Sequence, residues 1–133
     1  MTDGDRKKIL VVDDEPYIQR SLRLILEMEG YKVFTAADGL EALKAVSESL
    51  PDLILLDIMM PHMDGYECAR KIRENPALKK IYIIALTARG QERDKARSAQ
   101  VGIDEHIPKP FQPAKLVDRI KNILQKDLAS DGT

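Results

Sequence analysis

The strongest structural signal in the chain is residues 53–65, Leu-Ile-Leu-Leu-Asp-Ile-Met-Met-Pro-His-Met-Asp-Gly. It opens with an unbroken apolar run, Leu53 to Leu56, which ends at a single acid, Asp57. A short apolar run that stops in a loop containing Pro61 and Gly65 is typical of a strand buried on both faces. Asp57 would then lie at the carboxyl end of the strand, the edge where open parallel sheets bind ligands.

Apolar runs of strand length alternate with amphipathic helical segments along the chain. We predict strands at residues 9–12, 32–36, 53–57, 81–86 and 105–107, each followed by a helix. This alternation specifies a parallel sheet covered by helices on both faces. Strands one and three can then lie side by side, with their helices leaving toward opposite faces. The expected fold class is therefore α/β, a doubly wound (βα)5 flavodoxin-like three-layer sandwich with strand order 2-1-3-4-5.

The fourth helix, expected from about Gln91 to Gln100, is unusual because its only apolar side chains are Ala96 and Ala99. At roughly 25 cal/mol per Å² of buried apolar area, two alanines anchor a helix far less well than four large aliphatic residues. Two interpretations stay open, a loosely docked element that shifts and a plain surface helix.

Size and composition indicate one soluble domain. The 133 residues are 44% hydrophobic, which is enough for a core. The 21 basic and 22 acidic residues give no bulk charge that would recruit nucleic acid or an anionic membrane. Residues 1–8 are polar and charged, with no apolar core of a signal peptide behind them, and no apolar run approaches the ~20 residues of a membrane span. The one cysteine, Cys68, excludes an internal disulfide and is expected to be a buried filler, which fits a cytoplasmic location.

Three acids are expected to face one another where the strand order reverses. Asp13 and Asp14 end strand one, and Asp57 ends strand three. At an effective dielectric of ~20, two such charges ~4 Å apart repel by ~4 kcal/mol, so something must offset them. A proton can do this, but a hard divalent cation does it better. Mg²⁺ takes one or two carboxylates and leaves room for a phosphate oxygen.

A hydroxyl and an ammonium complete this edge, because Thr87 ends strand four and Lys109 follows strand five. Positioned cations and donors stabilise the three equatorial oxygens of a transferring phosphoryl group. A carboxylate can be the covalent nucleophile. Asp57 is the best candidate, since it stands alone on the central strand while Asp13 and Asp14 can hold metal.

Other site classes fit the sequence less well. A nucleotide-binding fold needs a Gly-rich loop after strand one, where the acidic residues 13–15 would repel phosphate. The haloacid-dehalogenase phosphatases place a second Asp two positions after the nucleophile, where this chain has Met59. His62, His106 and Cys68 are too scattered for a zinc site, and no Ser-His-Asp arrangement is evident.

The sequence resembles the CheY-like receiver domain of two-component response regulators, over about residues 8–125. The resemblance rests on Val-Asp-Asp-Glu at 12–15, Leu-Leu-Asp-Ile-Met-Met-Pro-His-Met-Asp-Gly at 55–65, Leu-Thr-Ala at 86–88 and Lys-Pro-Phe at 109–111. Each fragment alone is weak, but all four in this order are very specific. The expected organisation is a frayed N-terminus at 1–7, one receiver domain at 8–126 and a polar tail at 127–133.

The resemblance implies a role for each acid. Asp57 looks like the phosphoacceptor, which takes a phosphoryl group from a phosphohistidine on a sensor histidine kinase or a histidine phosphotransfer protein. Asp14, Asp57 and the backbone carbonyl of Met59 resemble the direct ligands of Mg²⁺ (or Mn²⁺). Asp13 resembles the acid that reaches the metal mainly through water.

The phosphoryl-binding and switch residues follow from the same resemblance. Thr87 resembles the switch hydroxyl, and the Ala88 backbone amide and Lys109 would hold the phosphoryl group. The bond from Lys109 to Pro110 resembles the family's cis peptide. The departure is His106, because the family's aromatic switch position is usually Tyr or Phe, whereas an imidazole is smaller and titrates near neutral pH. His106 is interpreted either as a partly packed residue of strand five or as a modifier of the switch.

Residues around the site carry lesser expectations. Met59 and Arg89 flank it and are expected to influence how fast the phosphoryl group is hydrolysed. His62 is expected to lie exposed on a loop. Asp64 and Gly65 are expected to supply only turn and helix-start chemistry.

The first functional hypothesis is a phosphorylation-controlled switch. Phosphorylation would reposition the face formed by helix four, strand five and helix five, which an output domain, a partner protein or a second copy would bind. Because its groups act once per event on the chain itself, the domain is not expected to be a turnover enzyme. The alternatives are a phosphorylation-independent pseudo-receiver that only binds proteins, and a phosphatase for small phosphate esters. The chain is either a stand-alone regulator or the first domain of a longer protein.

Overall fold

The computed structural model describes residues 6–60, 63–88 and 95–131, with the side chains of 95 and 126–131 excepted. Five strands alternate with five helices within these residues. In chain order the elements are β1 Lys8–Val12, α1 Pro16–Met28, β2 Lys32–Ala36, α2 Gly39–Ser49, β3 Leu53–Asp57, α3 Gly65–Arg73, β4 Tyr82–Thr87, α4 Lys95–Val101, β5 Glu105–Pro108 and α5 Pro113–Asp131.

The strands form one parallel sheet in the order β2-β1-β3-β4-β5. One hydrophobic core lies between the sheet and helices α2 and α3, and a second lies between the sheet and helices α1 and α5. This arrangement confirms the predicted doubly wound α/β fold. Since α1 and α3 lie on opposite faces, a crevice opens between the carboxyl ends of β1 and β3.

The central strand β3 accounts for the uninterrupted apolar run that precedes Asp57. Every residue of β3 is buried, because β1 and β4 flank it and helices cover both faces. Leu53 and Leu55 enter the core beneath α1 and α5, whereas Ile54 and Leu56 enter the core beneath α2 and α3. Each such side chain contributes roughly 1.5–3 kcal/mol through its burial. The strand that ends at Asp57 is therefore anchored from both sides.

Two helices that follow the carboxyl ends of β2 and β3 begin with a side-chain N-cap. Asp38 accepts a hydrogen bond of 2.9 Å from the Glu41 backbone N–H at the start of α2. Asp64 accepts one of 2.9 Å from the Glu67 backbone N–H at the start of α3, which confirms its predicted helix-start role. Pro16 occupies the first turn of α1, where its missing N–H costs no helical hydrogen bond.

The two alanines of α4 do not face the core. Within the described residues the helix begins at Lys95, and residues 91–94 lie outside them. Ala96 and Ala99, which were expected to anchor the helix poorly, are both exposed. The side chain turned inward is Ser98, which is 2% exposed.

A basic side chain of α4 contacts the start of α3. The Arg97 guanidinium lies 4.2 Å from the ring centroid of Tyr66, and its Nη2 lies 3.7 Å from Asp64 Oδ2. Cation–π contacts of this kind contribute about 0.5–1 kcal/mol at exposed sites. Val101 adds an apolar contact to the core. Counting apolar residues along the helix could not reveal an anchor made by an arginine.

The last helix, α5, is longer than predicted. It runs to Asp131 and so includes residues 127–131, which were assigned to a polar tail. Leu128 and Ala129 favour helix, and residues 113–131 contain no glycine. Residues 1–5 and 132–133 of the predicted termini lie outside the described part of the chain. Among the described helices, none combines the length and apolarity needed to cross a bilayer.

Cys68 confirms the filler interpretation. It is a free cysteine buried in the core beneath α2 and α3, and its Sγ lies 3.9 Å from the Gly39 carbonyl oxygen. Burial raises the pKa of the Cys68 thiol to about 12. At neutral pH the thiolate that a nucleophile requires is therefore negligibly populated.

Candidate functional site

The carboxyl ends of four neighbouring strands bring the predicted side chains to one edge of the sheet. Asp13 and Asp14 follow β1, Asp57 ends β3, Thr87 ends β4 and Lys109 follows β5. These strands are consecutive in the sheet, in the order β1-β3-β4-β5. Parallel pairing therefore gathers residues from four separate parts of the sequence.

The three acids form a compact cluster. One carboxylate oxygen from each of Asp13, Asp14 and Asp57 lies within 4.8 Å of the others. Asp13 is fully buried and Asp57 is 5% exposed, whereas Asp14 is exposed. The Glu15 backbone N–H donates to Asp13 Oδ1 at 2.9 Å, which fixes that carboxylate. Carboxylates at this spacing, two of them shielded from water, need positive charge nearby.

Lys109 supplies part of that charge. Its Nζ lies 2.9 Å from Asp13 Oδ2 and 3.5 Å from Asp57 Oδ2, so one ammonium contacts two of the acids. Burial by itself lowers the pKa of Lys109, but the hydrogen bond to Asp13 and the charge of Asp57 outweigh burial and raise it. The Lys109 backbone N–H donates to the Thr87 carbonyl at 2.6 Å, and the bond to Pro110 is cis, as the resemblance implies.

The protein environment favours the protonated form of the Asp57 carboxyl group more than bulk water does. Burial raises the pKa of Asp57 to about 6, Lys109 opposes the shift, and the charge of Asp13 adds to it. The Met59 backbone N–H donates to Asp57 Oδ1 at 3.1 Å and holds the carboxyl group in place. Near neutral pH the group is mostly ionised, as a nucleophile must be, although its charge is poorly solvated.

Thr87 places a buried hydroxyl at this edge. Its side chain is fully buried, and its Oγ1 makes no hydrogen bond with the described residues. A buried hydroxyl in that condition costs roughly 1–3 kcal/mol. Ala88, the next residue, is exposed. His106 lies opposite Ala85 in the register of β4 and β5 and is partly buried, as its packing interpretation predicts.

Two residues that the sequence did not single out for function also shape the site. A Cβ added at Gly65 would lie 2.7 Å from the Asp57 carbonyl oxygen, so only glycine allows α3 to begin this close to β3. Gln19 of α1 donates through Nε2 to the Asp13 carbonyl at 2.6 Å and to the Ala36 carbonyl at 3.1 Å. A glycine after a capping Asp, or a glutamine on a helix, carries no functional signal in a single sequence.

Three flanking predictions have different outcomes. His62 and Arg89 lie outside the described residues. The Met59 side chain is 64% exposed, so it stands at the mouth of the site without contributing to the core. Its influence on phosphoryl hydrolysis stays a prediction.

The donor set fits a hard divalent cation. Carboxylate oxygens are the ligands that Mg²⁺ and Mn²⁺ prefer, and three converge here with one of them open to solvent. Lys109 contacts Asp13 and Asp57 and leaves the exposed Asp14 carboxylate available. The described residues contain no histidine or cysteine within this cluster, so it does not resemble a zinc site.

Comparisons with known sequences agree with this geometry. The profile of the family described as "Response regulator receiver domain" matches residues 9–121. The transcriptional regulatory protein ResD of Bacillus subtilis (strain 168) is 45% identical over 126 residues, which are 95% of this chain and 51% of ResD. The alkaline phosphatase synthesis transcriptional regulatory protein PhoP of the same organism is 44% identical over 120 residues, 90% of this chain and 49% of PhoP. The chain thus spans about half the length of these curated relatives.

A solved structure has the same fold over nearly the whole chain. The CheY-like response regulator receiver domain protein of Methanospirillum hungatei superposes with a TM-score of 0.85 at 33% identity, covering 95% of this chain and 99% of that one. The fold, the clustered acids and the sequence profile therefore agree. This chain belongs to the response regulator receiver domain family of two-component systems.

Proposed function

We propose that the chain receives a phosphoryl group on Asp57 and that this modification changes the face formed by α4, β5 and α5. The observation that carries the proposal is the contact of one Lys109 ammonium with both Asp13 and Asp57, beside the exposed Asp14. Such a site attracts a cation and then a phosphoryl group, because it combines surplus carboxylates with a fixed positive donor.

Each residue has a defined part in the transfer. An Asp57 oxygen forms a bond to phosphorus while the bond from phosphorus to the donor nitrogen breaks, and the imidazole keeps the electron pair. Lys109 and the Ala88 amide bind the phosphoryl oxygens. Asp14, Asp57 and the Met59 carbonyl would bind Mg²⁺ (or Mn²⁺), which supplies charge neutralisation when bound, and Asp13 would act through water.

The switch step uses Thr87. Its hydroxyl is buried at the end of β4 and has no hydrogen-bond partner among the described residues, so a phosphoryl oxygen on Asp57 would gain a donor there. Rotation of Thr87 would change the space beside β5, where His106 is partly buried. The α4–β5–α5 face would then bind an output domain, a partner protein or a second copy of the chain.

The phosphoryl donor would be a phosphohistidine on a sensor histidine kinase or a histidine phosphotransfer protein. An apolar groove adjoins the site, because Lys109 is one of its lining residues together with Tyr17, Ile18, Ile25 and Phe111. Tyr17 is 68% exposed there, and Ile18, Ile25 and Phe111 are only partly buried. Clustered apolar side chains at a surface mark interaction sites more often than single ones do. A helix that carries the phosphohistidine could pack in this groove and present its imidazole to Asp57.

Several further properties belong to the same proposal. The domain acts in the cytoplasm and is not a turnover enzyme, since the phosphoryl group is attached to the chain and later lost by hydrolysis. It binds neither nucleic acid nor membrane by itself. The PhoP and ResD relatives are named transcriptional regulators, so an output through transcription is the expectation for a longer protein containing this domain.

Intact-mass measurement after incubation with acetyl phosphate and MgCl₂ tests the proposal. The wild type should gain one phosphoryl group, whereas Asp57→Asn and a sample containing EDTA should not. Equal labelling of Asp57→Asn would exclude Asp57 as the acceptor. If the wild type neither gains mass nor binds Mg²⁺, the chain is instead the pseudo-receiver described above.

A further inference from the structure

Gln19 joins the ends of two neighbouring strands at the acidic edge. Its side-chain amide donates to the Asp13 carbonyl at 2.6 Å and to the Ala36 carbonyl at 3.1 Å. Asp13 is the first residue after β1, and Ala36 is the last residue of β2. The Asp13 backbone N–H also donates to the Ala36 carbonyl, at 3.1 Å. One amide from α1 therefore holds both loops in a fixed relation.

The hydrogen bond from Gln19 to the Asp13 carbonyl controls the peptide group that precedes Asp14. The Asp13 carbonyl belongs to the peptide bond that joins Asp13 to Asp14, so its orientation sets the direction in which the Asp14 side chain leaves the backbone. Asp14 is exposed, so close packing does not hold its side chain in place. Asp13 differs, because its carboxylate contacts Lys109 and the Glu15 backbone N–H.

We propose that Gln19 is a positioning residue for the cation site, which directs Asp14 toward Asp57 by holding the Asp13 carbonyl. The inference rests on the proposed function and adds to it a residue outside the ligand set. Gln19 touches neither the cation nor the phosphoryl group. Partners that orient metal ligands in this way typically alter metal affinity by about 10–100-fold when they are mutated.

The substitution Gln19→Met tests this inference, because it keeps the length of the side chain and removes both N–H donors. Calorimetric titration with MgCl₂ or MnCl₂ should show a dissociation constant raised by about tenfold, the lower end of the range for such partners. The rate of labelling by acetyl phosphate at saturating Mg²⁺ should stay within about twofold of wild type, because Lys109, Thr87 and Asp57 are untouched. This separation of affinity from rate would not result from a general loss of structure.

Two further variants complete the experiment. Arg20→Met changes the exposed neighbour of Gln19 on α1 and should bind the cation as the wild type does. Gln19→Asn keeps the amide but is one methylene too short to reach the two carbonyls, so it should weaken cation binding as Gln19→Met does. If one of the two variants folds poorly, the other still tests the inference. Wild-type affinity in both Gln19 variants would overturn the inference and leave the proposed function intact. Failure of the wild type itself to bind Mg²⁺ would instead overturn the proposed function.

Discussion

The Lys109 Nζ lies 2.9 Å from Asp13 Oδ2, although the two residues are 96 positions apart in the chain. Asp13 is completely buried and Lys109 is 23% exposed, so the pair closes the deep end of the site and leaves its mouth to Asp14. The same ammonium reaches Asp57 at 3.5 Å. Lys109 is therefore shared between a structural role toward Asp13 and, in the proposed function, a chemical role toward Asp57.

Replacing Lys109 should reveal the structural half of this role. Lys109→Met leaves Asp13 and Asp57 close together without their cation, and should lower the free energy of unfolding at pH 7.5 by roughly 1–3 kcal/mol in urea titrations. The loss is smaller than the ~3–5 kcal/mol of fully buried pairs because solvent reaches the lysine. Lys115→Met, at an exposed position of α5, is the matched control and should change stability by less than about 0.5 kcal/mol. A Lys109→Met variant as stable as this control would contradict the prediction.

The raised pKa of Asp57 predicts a pH-dependent stability in metal-free buffer. With EDTA present, the folded chain keeps the Asp57 proton up to about pH 6, whereas the unfolded chain loses it near pH 4. The folded state binds more protons in this window, so the Asp57 contribution to stability is fully favourable below pH 4 and falls as the pH rises toward 6. Above that window the penalty is constant, at most about 3 kcal/mol.

Asp57→Asn removes this titration and supplies the measurement. The variant should be more stable than wild type at pH 8, by about 1–3 kcal/mol, and the difference should shrink as the pH is lowered from 6 to 4. Adding MgCl₂ should reduce the difference at pH 8, because the cation stabilises the ionised wild-type site. A difference that does not vary with pH would show that burial does not perturb Asp57.

The contrast between β3 and α4 shows what the sequence could predict. The run from Leu53 to Leu56 identified the central strand because a strand covered on both faces needs apolar side chains at every position. The inward position of Ser98 on α4 was not predictable, because a serine carries no apolar signal although it is 2% exposed. The contact of Arg97 with the Tyr66 ring of α3 was not predictable either, because it joins residues of two different helices. The residues of α4 alone do not reveal which side chains of a neighbouring helix lie opposite them.

The candidate site divides in the same way. Side chains that carry charge at strand ends, such as Asp57 and Lys109, could be assigned to one edge from topology alone. Gln19 and Gly65 could not, since each acts on a backbone carbonyl of another element. Whether such contacts form depends on differences in distance of a few tenths of an ångström. Residue types and their spacing in the sequence do not encode these differences.

Arg73 of α3 should be among the most important polar side chains for stability. Its guanidinium donates to the carbonyls of Gly102, Leu78 and Lys79 at 3.0–3.2 Å, and to Asp104 Oδ2 at 2.9 Å. It thereby ties the loop before β4 to the loop before β5. Arg73→Met removes all four contacts. The Leu78 carbonyl and Asp104 Oδ2 keep the backbone N–H groups of Ile81 and Ile83 as donors, but the loss should still lower the free energy of unfolding by about 2–4 kcal/mol.

Arg70 on the same helix provides the control. It forms an exposed pair of 2.8 Å with Glu74, four residues away, and such pairs contribute about 0.3–0.5 kcal/mol. Arg70→Met should therefore shift the urea midpoint far less than Arg73→Met. Comparable losses in the two variants would mean that the contacts of Arg73 add no more than a surface ion pair.

Thr87→Val should separate stability from switching. Valine has nearly the shape of threonine but lacks the hydroxyl, and the Thr87 hydroxyl is buried without a hydrogen-bond partner among the described residues. Removing it should leave the unphosphorylated domain as stable as wild type or more stable, by up to about 1 kcal/mol.

The same variant tests the switch. Acetyl phosphate should still label Asp57 in Thr87→Val. The amide resonances of β5 and α5 should move on phosphorylation of the wild type but should stay near their unphosphorylated positions in the variant. Thr87→Ser is the matched control, because it keeps the hydroxyl and should restore the movement. If Thr87→Val shows the same spectral change as wild type, the hydroxyl is not what connects Asp57 to the α4–β5–α5 face, and His106 or the α4 contacts of Arg97 would have to do so.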